Sequence, residues 1–241
     1  LALAGCSAPA SPEATLPPAI ARPTATPPPT ATSPAAAAAT AATPSGFAGQ
    51  PLPTTGNDLF SASGACGMCH TRNVDESGRD VSIDHAWRAS IKAQSARDPY
   101  FLASVRAEVE AFPDLRRTIE GTCAACHAPM AAYSEAADGD AAMLLDEGFL
   151  GPDHELHALA LDGVSCTLCH QIRSSNLGSS SSSGRYLIDI ELPRGEREIF
   201  GPFAVDEAQA ELMRNASGFV PVQATHMTQS ELCATCHTLY T

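Results

Sequence analysis

Cys66-Gly-Met-Cys69-His70, Cys123-Ala-Ala-Cys126-His127, Cys166-Thr-Leu-Cys169-His170 and Cys233-Ala-Thr-Cys236-His237 are four copies of one five-residue pattern in a chain of 241 residues. They take up eight of the nine cysteines and half of the eight histidines. At these cysteine and histidine frequencies, chance would supply on the order of 0.01 such matches, so the repetition carries chemistry. We refer to the copies as hooks 1 to 4 in chain order. The intervals between their histidines are 57, 43 and 67 residues, too irregular for a solenoid repeat.

The spacing has a physical reason. Two thiols three residues apart on one helical turn can reach the two vinyl groups of a single porphyrin and close two thioethers, while the next histidine turns back to the iron. The pattern therefore predicts four covalently attached haem c groups. Their thioethers would form at Cys66, Cys69, Cys123, Cys126, Cys166, Cys169, Cys233 and Cys236, with His70, His127, His170 and His237 as proximal ligands. Structural zinc uses two Cys-x-x-Cys hooks per metal and does not require a histidine after each. Disulfides would leave the four histidines unexplained, and cysteines three apart in a helix bond poorly to each other. A thioredoxin-like motif would occur once, in a βαβ context absent from this pattern.

The rest of the chain divides around these hooks. The first 55 residues hold 12 of the 19 prolines, one aromatic (Phe47) and two charges, Glu13 and Arg22. Such a stretch buries too little apolar surface to offset the entropy of ordering it. Residues 1–6 read as the remnant of a lipoprotein signal peptide, with Leu3-Ala-Gly-Cys6 resembling a bacterial lipobox and Cys6 as the lipidation site. Residues 7–55 read as a Pro/Ala/Thr tether, about 40 Å from end to end as coil and roughly 150 Å as polyproline II. Residues 56–241 form the haem domain. The expected address is thus outside the cytoplasm, periplasmic or on the cell surface, anchored to a membrane through Cys6.

Charge narrows the partners. Lys and Arg number 14 against 27 Asp and Glu, a formal net charge of −13. That balance excludes a generic nucleic-acid binder, which presents a basic face to phosphate. An acidic surface favours basic docking patches on other redox proteins or on a membrane electron-transfer complex, at rates that fall with salt.

Within the domain the periodicities predict a mainly helical fold with little regular structure. Asp84 to Ser95 reads as one helix; a second starts at Asp98-Pro99, with Asp as cap and Pro in the first turn, and ends near Phe112-Pro113. Asp114 would cap a third, leading to hook 2. Val205 to Arg214 and Ser230 to His237 complete the helical set. Arg185 to Leu192 alternates and predicts the single short strand or hairpin arm; the Ser-rich stretch from Ser174 to Gly184 reads as a solvated loop. With roughly 46 residues per haem, the porphyrins would supply much of the core. Four histidines remain as distal-ligand candidates: His85, His154, His157 and His226. His154 and His157, three apart, share a helix face. Met130, Met143, Met213 and Met227 are the sulfur rivals, and a distal Met in place of His raises the potential.

Beyond the hooks, residues 64–241 resemble the multihaem c-type cytochromes, of the exported lipoprotein type. The resemblance lies in Trp87-Arg-Ala-Ser90, Ala96-Arg-Asp-Pro99-Tyr100, Cys126-His-Ala-Pro-Met130, Asp162-Gly-Val-Ser-Cys-Thr-Leu-Cys-His-Gln171, Ile199-Phe-Gly-Pro202 and Ser230-Glu-Leu-Cys233. It implies a helical fold packed around haem and electron transfer as the activity, not enzymatic catalysis. Similar sequences often carry a Met after the Trp-x-x-Ser element; here Ile91-Lys92 stands there, which favours His85 as the ligand. Reductases of nitrogen or sulfur oxyanions within the family usually mark the catalytic haem with Lys in place of the hook's His or leave its distal site open, and all four hooks here end in His. The alternatives are such a reductase with one five-coordinate haem, or a conducting subunit that assembles into a filament or membrane complex. Similar proteins often continue past the point where this sequence stops, so further haems are expected beyond Thr241.

Overall fold

The computed structural model describes residues 51–240. Cys6 and all but the last five residues of the expected tether lie outside the described residues. Those last residues are already part of the folded unit. The carbonyls of Pro53 and Thr55 accept the N–H groups of Gly64 and Ala62, both at 2.9 Å. A Cβ on Gly64 would stand 2.5 Å from the Leu52 carbonyl oxygen, so only glycine lets the two backbones meet. This backbone pairing, invisible in composition, ties Pro53 and Thr55 to Gly64 and Ala62, although both were expected in the tether.

Helices dominate, and most are short. In chain order they are α1 (Ser63–Gly67), α2 (Ile83–Arg88), α3 (Ile91–Gln94), α4 (Pro99–Ala111), α5 (Arg116–His127), α6 (Pro129–Asp138), α7 (His157–Leu161), α8 (Cys166–Cys169), α9 (Glu207–Ser217) and α10 (Ser230–His237). Only α4, α5, α6 and α9 reach ten residues. The start of α4 follows the sequence reading: Asp98 accepts the Phe101 N–H at 2.8 Å with Pro99 in the first turn. For α9 the cap is Asp206, in a reciprocal box with Gln209. The helix expected over 84–95 is two pieces, broken where Ser90 takes an extended conformation. Asp114 does not cap α5; Pro113–Leu115 is a 3₁₀ turn that runs directly into it. Helix α5 stops at His127 because Pro129 disfavours helical geometry at Ala128 and opens α6 instead.

The strand expectation lands in the wrong place. Two four-residue strands, β1 (Glu198–Gly201) and β2 (Val220–Gln223), pair in parallel with Phe200 opposite Val222, and α9 is their crossover. Arg185 to Leu192 alternates as read only over its first half, with Tyr186 and Ile188 buried and Leu187 exposed, while Ile190, expected on the inner face, is exposed. No strand partners it. The Ile188 N–H goes to the Tyr133 hydroxyl at 3.0 Å, and the Leu187 carbonyl accepts from Arg173 at 2.8 Å. The Ser run is solvated only in part: Ser174, Ser175, Ser179 and Ser180 are exposed, but its end is not. Ser181 and Ser182 are buried, and the turn docks on α10 through Ser183 N–H to Thr238 O and Gly184 N–H to Thr235 O.

The apolar residues gather in two clusters. One joins α4, α5 and α6 through alanines 96, 124, 128, 131 and 132 with Leu144, Leu145 and Phe149; small side chains let these helices approach closely. The other packs Phe60, Met130, Leu159, Leu168, Ile172, Tyr186 and Ile188 around α8.

Candidate functional site

Each hook sits on or at the end of a helical turn, so its two thiols lie on one side of the backbone one turn apart. Hook 1 closes α1, with the His70 N–H bonded to the Cys66 carbonyl at 3.0 Å; hook 3 is α8 itself, with His170 N–H on Cys166 O at 3.1 Å. Hooks 2 and 4 are the last turns of α5 and α10. None of the eight hook cysteines is in a disulfide.

The fold brings the hooks together in pairs that skip along the sequence. Cys66 of hook 1 and Cys166 of hook 3 line one cavity, and each of these thiols, like those of Cys126 in hook 2 and Cys236 in hook 4, stands close enough to act on the other. The neighbouring thiol, reinforced by burial, pushes Cys66 and Cys126 up, whereas it holds Cys166 down and brings Cys236 to about 7. Cys169, half-buried in hook 3, is pushed up to about 12 by desolvation.

Hooks 1 and 3 share an apolar cavity of about 380 Å³ that holds Cys66, His70, Cys166 and His170. Its walls come from Ile83 and Trp87 of α2, from the β1–β2 pair with Phe200 and Val222, and from Met213 of α9. A carboxylate oxygen of Asp84, buried without a hydrogen-bond partner, belongs to the same wall. The Trp87 indole N–H bonds the Val164 carbonyl at 2.8 Å and so fixes that wall to the approach of hook 3. A second cavity of about 340 Å³, lined by small residues of α5 and α6 with Gly184, Tyr133 and Tyr186, lies beside hook 2.

Polar bonds of very long range seat hooks 1 and 3. Buried Asp162 accepts the Ser63 N–H at 2.7 Å and its hydroxyl at 2.6 Å. Thr167, between the cysteines of hook 3, donates to Ser61 O at 2.7 Å and accepts from Ser61 N–H at 3.1 Å. Gln171 donates to Leu59 O at 2.9 Å. Gly163 has φ +66°, and a Cβ there would meet Lys92 O at 2.6 Å. These contacts account for the Asp-Gly and Thr…Gln positions around hook 3, whose role the sequence reading did not identify.

The histidines differ in what holds them. His127 and His170 each set Nδ1 against a carbonyl, Ser95 at 3.1 Å and Phe200 at 2.5 Å, and His127 stacks on Phe101 with centroids 3.6 Å apart. A carbonyl can only accept, so Nδ1 carries the proton and Nε2 keeps its lone pair, the arrangement usual for metal-ligating imidazoles. The rings of His70 and His237 are exposed. Among the remaining histidines, His85 is exposed with Nδ1 3.0 Å from Asp80, and His226 is buried with Nε2 on Ile172 O at 2.9 Å. His157 is the first residue of α7 and His154 lies three residues before it, outside the helix, so the shared helix face expected from their spacing does not form. Of the methionines, Met130 is buried in the core with its sulfur accepting from Thr167, and Met213 lines the first cavity.

Among the described residues no group of three or more His, Cys, Asp or Glu side chains converges to hold a metal ion by itself, and no helix is long and apolar enough to cross a membrane. No family model, curated protein or solved structure matches the chain.

Proposed function

We propose that the chain is an exported tetrahaem c-type cytochrome that passes single electrons between redox partners at the cell envelope. The observation that carries this reading is the set of four Cys-x-x-Cys-His hooks, each on a helical turn, with hook 1 set against hook 3 and hook 2 against hook 4. The donors fit haem c: every hook offers two thiols and one imidazole, and the first cavity supplies an apolar surround. When bound, haem supplies a one-electron iron couple, and the protein's part is ligation, burial and charge.

This chain's residues do that part. His127 and His170 are pinned through Nδ1 with Nε2 directed away from the backbone. Asp162, Thr167 and Gln171 hold the segment before hook 1 against hook 3. The pairing makes electron passage follow the order in space, not the order in the chain. Cys6 supplies the membrane anchor, other redox proteins or a membrane complex supply the partners, and the acidic surface guides docking.

A pyridine haemochrome assay combined with intact mass on material matured in a competent periplasm tests the reading. Four haem equivalents per chain are expected; a colourless product with the bare polypeptide mass overturns it.

A further inference from the structure

His154 and His157 look interchangeable in the sequence, three residues apart at the start of one helix, but their backbone partners give them opposite tautomers. The Leu156 N–H donates to His154 Nδ1 at 3.1 Å. A backbone N–H can only donate, so this nitrogen is the acceptor and its lone pair is engaged. The proton of the neutral ring then sits on Nε2, which lies 3.7 Å from a Glu135 carboxylate oxygen. His157 Nδ1 faces the Phe149 carbonyl at 2.8 Å, and a carbonyl can only accept. There the proton sits on Nδ1 and the lone pair of Nε2 is open.

Phe149 joins the two environments. Its carbonyl holds His157, and its ring meets the His154 ring edge to face at 5.2 Å. Packing on this buried phenylalanine orients both imidazoles, so exchanging their roles would require breaking both backbone bonds.

We infer that His157 is a haem-iron ligand through Nε2, whereas His154 binds no iron, its Nδ1 taken by the Leu156 N–H and its Nε2 facing Glu135. The inference rests on the tetrahaem reading. Three spare imidazoles, His85, His157 and His226, then remain for the distal positions, with the Met213 thioether in the first cavity.

The test uses the full holo-protein and its variants His157→Ala, His157→Met and His154→Gln, read by low-temperature electron paramagnetic resonance and near-infrared magnetic circular dichroism. Haem content is measured on every sample. His157→Ala is expected to turn one low-spin iron high-spin, with added imidazole restoring it. His157→Met, which keeps a ligand and guards against misfolding, is expected to replace one bis-imidazole band by a thioether-to-iron band and to raise one potential. His154→Gln is expected to leave the number of bis-imidazole irons unchanged. A high-spin iron in His154→Gln, or an unchanged spectrum in both His157 variants, overturns the assignment. Wild-type protein without haem overturns the function itself, so the two failures are told apart.

Discussion

Hook 2 and the pair formed by hooks 1 and 3 share a five-residue pattern but are held by different physics. Hook 2 ends the twelve-residue α5, which lies in the alanine-rich core with α4 and α6. Its placement is a matter of helix propensity and apolar burial spread over many residues. Hooks 1 and 3 sit on helices of five and four residues, too short to persist alone. Directional bonds from Asp162, Thr167 and Gln171 to a segment about a hundred residues away fix them instead. The comparison teaches that the Cys-x-x-Cys-His pattern needs only a local helical turn, and that a fold can supply that turn through bulk packing or through a few polar clamps.

The contrast can be broken most severely at the hooks themselves. Replacing both cysteines of hook 1 by Ser should remove one haem equivalent from the intact mass while far-ultraviolet dichroism of α4 to α6 persists. An unchanged mass would show that hook 1 binds nothing. Next in size is Asp162→Ala, which strands the buried Ser63 N–H and hydroxyl. It should cost about 3 kcal/mol in denaturant unfolding and raise hydrogen exchange around hooks 1 and 3 while sparing α5. Equal loosening of α5 would refute the separation of the two seats.

Two glycines sharpen it further. Gly163→Ala forces a left-handed residue against Lys92 O and should cost about 2 kcal/mol. Gly184→Ala, at φ +75° with a Cβ 3.2 Å from Ala125 Cβ and 3.3 Å from Cys126 Sγ, should cost about 1 kcal/mol. Thermal unfolding of the two variants side by side checks the order.

The smallest effect is in pH. Burial holds Glu135 above its ordinary 4.5, so the folded state favours its protonated form. Its contribution is present at low pH and is lost as pH rises through the raised value; Glu135→Gln should flatten that decline. Asp75, in the loop after hook 1, is held below 3.8 by the Ser77 hydroxyl and the Arg79 backbone. Its contribution is present above that ordinary value and is lost as pH falls through the lowered one, and Asp75→Asn should flatten the acid side. Stability profiles with the same slope in both variants would contradict these signs.

Local rules carried the sequence reading a fair distance. Asp98-Pro99 placed the start of α4, and Ser230 to His237 is α10 to the residue. Alternation in Arg185 to Leu192 gave the correct faces as far as Ile188, but Ile190 is exposed, and a tyrosine hydroxyl from α6 took the place of a neighbouring strand, which nothing local announces. Strands β1 and β2 are four residues each and pair only after α9 returns the chain, so neither shows a period of its own. The Ser run looked solvated because hydroxyls are polar, yet Ser181 and Ser182 are buried beside α10. In the site, the hooks were legible because one five-residue spacing repeats four times. The tautomers of His154 and His157 were not, since each depends on which backbone group the fold turns toward a ring.

The clamps on hook 1 impose a timetable on biosynthesis. Ser63 precedes its acceptor Asp162 by 99 residues, and Leu59 precedes Gln171 by 112. At ordinary elongation rates of about 5 to 20 residues per second, that separation lasts roughly 5 to 20 s. Throughout that interval hook 1 has no final seat, and only the arrival of Asp162 and Gln171 supplies one.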